Sequence, residues 1–192
     1  GHAFQHPTLG VEREREQQHL ATLCERHAVP APASGATQFS ARIGALRVKW
    51  ERHGEFSSYT FFAAGAADVP PATVLERAGW PAFAAVMPGE VLVAASIDLV
   101  PFQGDSPPAE AFATQADTVV GGAVAEGRGW GYTDFRIRED GFTRFLLLNR
   151  EMGLGQAGRM VQRLLEIETY RMMAWLAFPV ARKATPDLGA ME

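Results

Sequence analysis

Between residues 156 and 181 the apolar side chains return at the spacing of a helix, and one carboxylate falls among them. On a wheel of about 100° per residue with Glu168 at zero, Ala157, Val161, Leu164, Leu165, Met172 and Trp175 lie within roughly 60° of it. Arg159, Gln162, Arg163, Glu166 and Tyr170 fall on the opposite side. A helix this long with a one-sided apolar stripe must lay that stripe on a partner, and the chain upstream of it is patterned mainly as strands.

Residues 37–43 and 46–53 alternate in character around a turn at Gly44, and residues 56–64 follow Gly54. Connections this short require antiparallel pairing. Residues 90–100 form a nearly continuous apolar strand, expected to be central. Residues 118–125, 129–138 and 142–149 complete the set, the last two joined at Glu139-Asp140-Gly141, a strong hairpin signal. Helices are expected over residues 12–28, where alternating charges lead into Leu20, Leu23 and Cys24, and over the short stretches 70–78 and 81–86. A loop with a short helix is expected over 105–116. The expected fold class is α+β: a mostly antiparallel sheet of six to seven strands in hairpins, packed by an N-terminal helix and a long C-terminal amphipathic helix.

Composition limits what such a domain does. With 192 residues, 47% hydrophobic and 21% charged, the chain has the length of one globular domain spanning 1–192. The net charge of -4 argues against nucleic acid as the main partner. A lone cysteine, Cys24, forms no disulfide framework and suits a reducing compartment. The longest apolar run, residues 172–180, is far shorter than the roughly 20 residues a spanning helix needs. Gly1-His2-Ala3 lacks an initiator Met, so residues 1–11 are expected to be disordered or tag-derived, and residues 182–192 a tail.

Glu168 has two readings. A buried carboxylate must find a cation and donors or hold a proton. In the structural reading Arg171, at the edge of the same stripe, or an arginine of the sheet pairs with it and pins helix to sheet. In the functional reading it is an acid or base with a raised pKa in a pocket. The structural reading is preferred, because one carboxylate without a second group is not an active site.

The strand over 129–138 is the other candidate. A period of two puts Trp130, Tyr132, Asp134, Arg136 and Arg138 on one face. In the strand over 46–53, Trp50 and Arg52 share one face, Glu51 and His53 the other. Such surfaces bind anionic or aromatic ligands or another chain, although a solvated sheet face with cross-strand pairs is the commoner outcome. The catalytic candidates are therefore Glu168, Asp134, Arg136 and Tyr132. The ligand-binding candidates are Trp50, Arg52, His53, Trp130, Arg138 and Arg171.

The five histidines (His2, His6, His19, His27 and His53) show no metal-ligand spacing, so no metal is expected, and no motif names a cofactor. The run Gly153 to Gly158 has the form G-x-G-x-x-G, but the hairpin before it implies an antiparallel strand. It reads as a strand-to-helix turn with anion-binding capacity only.

Three segments together carry a resemblance. They are Trp50-Glu51-Arg52-His53-Gly54-Glu55-Phe56 running on to Tyr59-Thr60-Phe61-Phe62; Thr133-Asp134-Phe135-Arg136-Ile137 with Glu139-Asp140-Gly141-Phe142; and Ala157-Gly158-Arg159 with the helix from Val161 to Ala174. They resemble the bacterial domain-of-unknown-function family 3422, described as predicted membrane-anchored proteins. The resemblance implies further helical and transmembrane segments beyond this stretch, and no activity or cofactor. It also implies a usual N-terminal segment with a His-Ala-Arg-Pro-like motif, where this chain has residues 1–10. The resulting expectation is a regulatory or interaction domain on the cytoplasmic side of an inner membrane. It would be a homo-oligomer through its helices, tethered by a segment outside residues 1–192. The rival expectation is an enzyme or small-molecule-binding domain with a carboxylate, arginine and aromatic pocket between sheet and helix.

Overall fold

Alternation in the strands and a 3.6-residue period in the helices divide the chain into elements with two buried sheet faces and one apolar stripe on each helix. A computed structural model describes residues 1–10, 12–64, 73–74, 76, 87–104 and 119–189. In chain order the elements are β1 (His2–Leu9), α1 (Arg13–Arg26), β2 (Gln38–Ile43), β3 (Leu46–Arg52), β4 (Ser57–Ala63), β5 (Glu90–Val91), β6 (Ala94–Pro101), β7 (Val120–Val124), β8 (Gly129–Ile137), β9 (Phe142–Asn149) and α2 (Leu154–Gly189). The helices expected over 70–78 and 81–86 and the loop over 105–116 lie almost wholly outside the described residues.

The fold is α+β. Its nine strands, among the described residues, form one sheet in the order β2-β3-β4-β1-β6-β9-β8-β7, with β5 added beside β1. Two antiparallel meanders, β2-β3-β4 and β7-β8-β9, flank a central pair, β1 and β6. The second meander joins through β9, which runs parallel to β6 with Ala94 opposite Phe142 and Pro101 opposite Asn149. That is the one parallel pairing among the described strands, and sequence reading anticipated only hairpins.

The strand count exceeds the expected six to seven for two reasons: the stretch expected as one strand over 90–100 divides into β5 and β6, and residues 1–11, expected to be disordered or tag-derived, supply β1, which corrects that expectation. Residues His2–Leu9 lie between β4 and β6, with Phe4 opposite both Phe61 and Ser96. Its side chains are buried on both faces: Phe4 is fully covered, and His2, Ala3, Gln5 and Thr8 are nearly so. The segment HAFQHPTL carries too few apolar residues to announce a strand; only its neighbours on either side make it one.

The two faces carry separate cores. On one face Phe4, Val48, Trp50, Tyr59 and Phe61 pack beneath Leu20 of α1. On the other, Ala3, Ala95, Ile97, Phe145 and Leu147 pack beneath Ala157, Val161 and Leu165 of α2. Each face buries several large side chains worth about 1.5–3 kcal/mol apiece, which offsets the cost of ordering the layers. α1 ends where Ala28 takes a left-handed conformation (φ 52°) and Val29 N–H donates to the Cys24 carbonyl at 2.9 Å.

α2 starts two residues earlier than expected. Asn149 clamps the chain ahead of it, its Oδ1 accepting from Met152 N–H at 2.8 Å and its Nδ2 donating to the Met152 carbonyl at 3.1 Å. The helix then continues to Gly189, past the boundary at 181, so residues 182–189 are helical and not a tail. Its stripe is buried only over the first half. Thr169 is 1% exposed, and from Tyr170 to Pro179 no side chain is buried.

Candidate functional site

The sequence-selected residues do not converge. Trp50 is fully buried in the core beneath α1. Arg52, on the same face of β3, donates through Nη1 to Glu16 Oε2 of α1. Glu16 is itself fully buried, so this ion pair fastens α1 to the sheet. His53 stands beyond the strand end, stacked on Phe56 at 4.4 Å. Trp130 is 9% exposed and meets the edge of Phe102 at 5.5 Å. The register places Trp130 and Tyr132 opposite Leu148 and Leu146, on the side of the sheet away from Phe145 and Leu147. Partial burial raises the Tyr132 phenol above its ordinary pKa.

The period of two fails in the second half of β8. The register between β8 and β9 shifts between Thr133 and Ile137, and Phe135 adopts φ +54°, where a bulky side chain is strained. The bulge is tied from within. Phe135 N–H donates to Thr133 Oγ1 at 3.1 Å, Arg136 N–H to Asp134 Oδ1 at 3.1 Å, and Arg138 Nη2 to Asp134 Oδ2 at 2.5 Å. Asp134, whose side chain is fully buried, thus serves the bulge, and Arg136 is exposed. The simple face of five side chains is corrected to two separate groups.

Glu168 and Arg171 are joined. Arg171 Nε donates to Glu168 Oε2 and Nη2 to Oε1, both at 2.7 Å, a bidentate pair one helical turn long. Arg171 Nη2 also reaches the Phe135 carbonyl at 3.4 Å, and the guanidinium lies 5.0 Å from the Phe135 ring centroid. The carboxylate is fully buried and the arginine side chain a quarter exposed. Hydrogen bonding to Glu168 raises Arg171 above its ordinary pKa, against the opposing pull of desolvation. Of the two partners foreseen, the helix's own arginine holds Glu168, and through Arg171 the helix holds the bulge of β8. Glu168 lines none of the three described clefts.

The cleft between α2 and the sheet is built from other residues. About 280 Å³ of space opens above β1, β3 and β4, beside the first turns of α2. Its floor holds Gln5, Thr60 and Thr169, at 6%, 4% and 1% exposure. Gln5 Nε2 donates to Thr60 Oγ1 at 3.3 Å, and Thr169 Oγ1 lies 3.2 Å from Gln5 Oε1 and 3.0 Å from the Leu165 carbonyl. Arg47, Lys49 and Arg159 stand around it, with Glu51 and Glu166. Lys49 pairs with Glu51 at 2.8 Å, and Glu166 accepts from Gln162 at 2.9 Å. Of the sequence candidates only His53 lines this cleft. Sequence reading missed the floor because neutral polar residues carry no pattern; the one available signal was the pair Gly155 and Gly158, which lines the helix side. Among the described residues no three of His, Cys, Asp and Glu come together as a metal site.

The family model for Protein of unknown function (DUF3422) matches residues 3–192. The chain belongs to this family. The match begins inside β1, so the first strand is part of the DUF3422 domain and not an appendage. No curated protein matches the chain, and no solved structure does.

Proposed function

We propose that this DUF3422 chain is a protein-interaction domain that self-associates through the half of α2 extending beyond the sheet. The observation that carries the reading is the exposure of Trp175 at 70%, Leu176 at 56% and Phe178 at 61% on a helix that the sheet no longer covers. Residues 172–181 include no charged side chain. A helix facing water on all sides is ordinarily polar, and an apolar one is covered. Among the described residues no helix is long and apolar enough to cross a membrane, which favours a protein cover. The stretch from Ala174 to Gly189 is about 24 Å long at ~1.5 Å per residue, enough for a paired helix. A second copy supplies the same surface in return, as a two-fold interface requires.

In this reading the domain acts in regulation or assembly at the cytoplasmic face of a bacterial inner membrane, tethered through a segment outside residues 1–192. Support for that setting is the family resemblance in the sequence and the lone, buried Cys24. A second reading, a small-molecule-binding domain, draws on the cleft over Gln5, Thr60 and Thr169, with Glu168 outside it.

Sedimentation velocity tests the self-association. The 20.9 kDa chain is expected to pass from monomer to dimer between about 5 and 500 µM, since the cost of association absorbs much of the burial energy. Trp175→Glu with Phe178→Glu alters only exposed positions and is expected to stay folded and monomeric throughout. A wild type that remains monomeric over that range, or a double variant that still dimerises, overturns the reading.

A further inference from the structure

We propose that the cleft between β1, β3, β4 and the first turns of α2 is a binding site for a small anion bearing a carboxylate or phosphate group. Four observations meet there. First, the cleft is open where a sheet–helix interface is normally filled. Gly155 and Gly158 present no side chains, and a Cβ built at Gly158 meets no atom within 4 Å. The helix therefore stands over the sheet without occupying this space.

Second, the floor is polar. Gln5, Thr60 and Thr169 are each at least nine-tenths buried, beside the apolar Ala3, Phe62 and Leu165. Burying neutral polar groups between sheet and helix is unfavourable unless they are hydrogen-bonded, and these three are bonded to one another. The network leaves donor capacity over. Gln5 Nε2 has a second N–H, and Thr60, which accepts from Gln5, keeps its hydroxyl proton. A ligand that presents acceptor oxygens fits that surplus.

Third, the charge at the rim is unbalanced in the direction an anion needs. Lys49 is neutralised by Glu51, while Glu166, held by the neutral Gln162 amide, keeps its charge, so the three cations Arg47, Lys49 and Arg159 exceed the two carboxylates by one. Arg47 and Arg159 form no ion pair among the described residues, although the chain as a whole is acidic. Arg47 is positioned by Ser40, whose Oγ accepts from its Nε at 3.3 Å, and by the Phe62 ring 5.7 Å away. Its outer guanidinium nitrogens remain for a planar or tetrahedral oxyanion, the geometry that arginine recognises bidentately. The amide dipoles at the start of α2 favour the same sign of charge.

Fourth, the size is that of a metabolite and not of a peptide. About 280 Å³ lies just under the range of drug-sized sites. The site is independent of the exposed half of α2, which begins beyond Met173.

Backbone amide chemical shifts read the site directly. In the wild type, inorganic phosphate or succinate is expected to shift the amides of Gly155, Gly158 and Thr60 saturably below about 10 mM, the weak-affinity range of a small ligand without a lid. Glycine, which adds an ammonium group to a single carboxylate, is expected to bind at least tenfold more weakly. A phosphate response without a succinate response assigns the site to phosphate groups, and the converse to dicarboxylates; both uphold it. Gly158→Leu fills open space and raises helix propensity, so it is expected to stay folded and lose the saturable shifts. Arg159→Gln is expected to weaken binding about tenfold or more. The proposal is overturned if neither anion gives saturable shifts at the cleft, or if Gly158→Leu, folded by its amide spectrum, binds as the wild type does.

Discussion

Replacing Glu168 by glutamine removes one charge from the centre of the α2–sheet interface and changes almost no volume. The native carboxylate accepts two charge-assisted hydrogen bonds from Arg171, each 2.7 Å long. Bonds of that kind contribute about 1.5–3 kcal/mol each. A glutamine keeps one acceptor oxygen and turns an amide N–H toward the guanidinium, so at most one weaker bond survives. Arg171 is then left with the Phe135 carbonyl and ring, although its quarter exposure lets water recover part of the loss. The expected net cost is about 2–3 kcal/mol, below the ~3–5 kcal/mol for breaking a fully sealed pair. For a chain of this length each kcal/mol lowers Tm by about 2–4 °C, so calorimetry should show a fall of roughly 4–12 °C. The companion variant is Glu168→Leu with Arg171→Met, which removes both charges and keeps an apolar chain on Phe135. It should return to within about 1 kcal/mol of the wild type or exceed it, because the desolvation cost disappears with the pair. An unchanged Tm in Glu168→Gln, or a double variant as unstable as the single one, would refute the reasoning.

Two further predictions concern the rest of the fold. Burial, aided by Arg26, lowers His19 below its ordinary 6.5, so the folded state binds its proton less readily than the unfolded chain. Stability is then fully present above pH 6.5 and is lost as pH falls from there toward the folded pKa; denaturation of His19→Gln between pH 7.5 and 5 should show a shallower loss. In the turn between β7 and β8, Ala125, Glu126 and Gly127 all have positive φ, with Glu126 at 59°. Glu126→Gly relieves a left-handed residue at some cost in unfolded-state entropy and should raise stability by about 0.5–1 kcal/mol in urea titration; an unchanged or lower midpoint refutes it.

Local pattern carried much of this architecture, and it failed at identifiable places. The meander of β2, β3 and β4 was legible because alternation and short turns leave one pairing open to it. Glu168 was legible as a paired carboxylate because a helical wheel needs only the sequence, and its partner lay three residues along the same helix. The pairing of β8 was not legible beyond Thr133. A bulge breaks the period of two, and it is held by contacts from Arg138 and Arg171 that no spacing in β8 encodes.

What the sequence determined by itself is what depends on neighbours in the chain: helices, hairpins, the apolar stripe and the charge placed within it. The tertiary structure decided what depends on residues far apart. It made residues His2–Leu9 a central strand, because β4 and β6 satisfy its backbone from either side. It set β9 parallel to β6, since a meander can dock by either edge once its faces are buried. And it assembled Gln5, Thr60 and Thr169, spread over most of the chain, into one polar floor beneath the helix that carries Glu168. The carboxylate was visible because it breaks a local pattern; the cleft was not, because three uncharged side chains become a site only when the sheet brings them together.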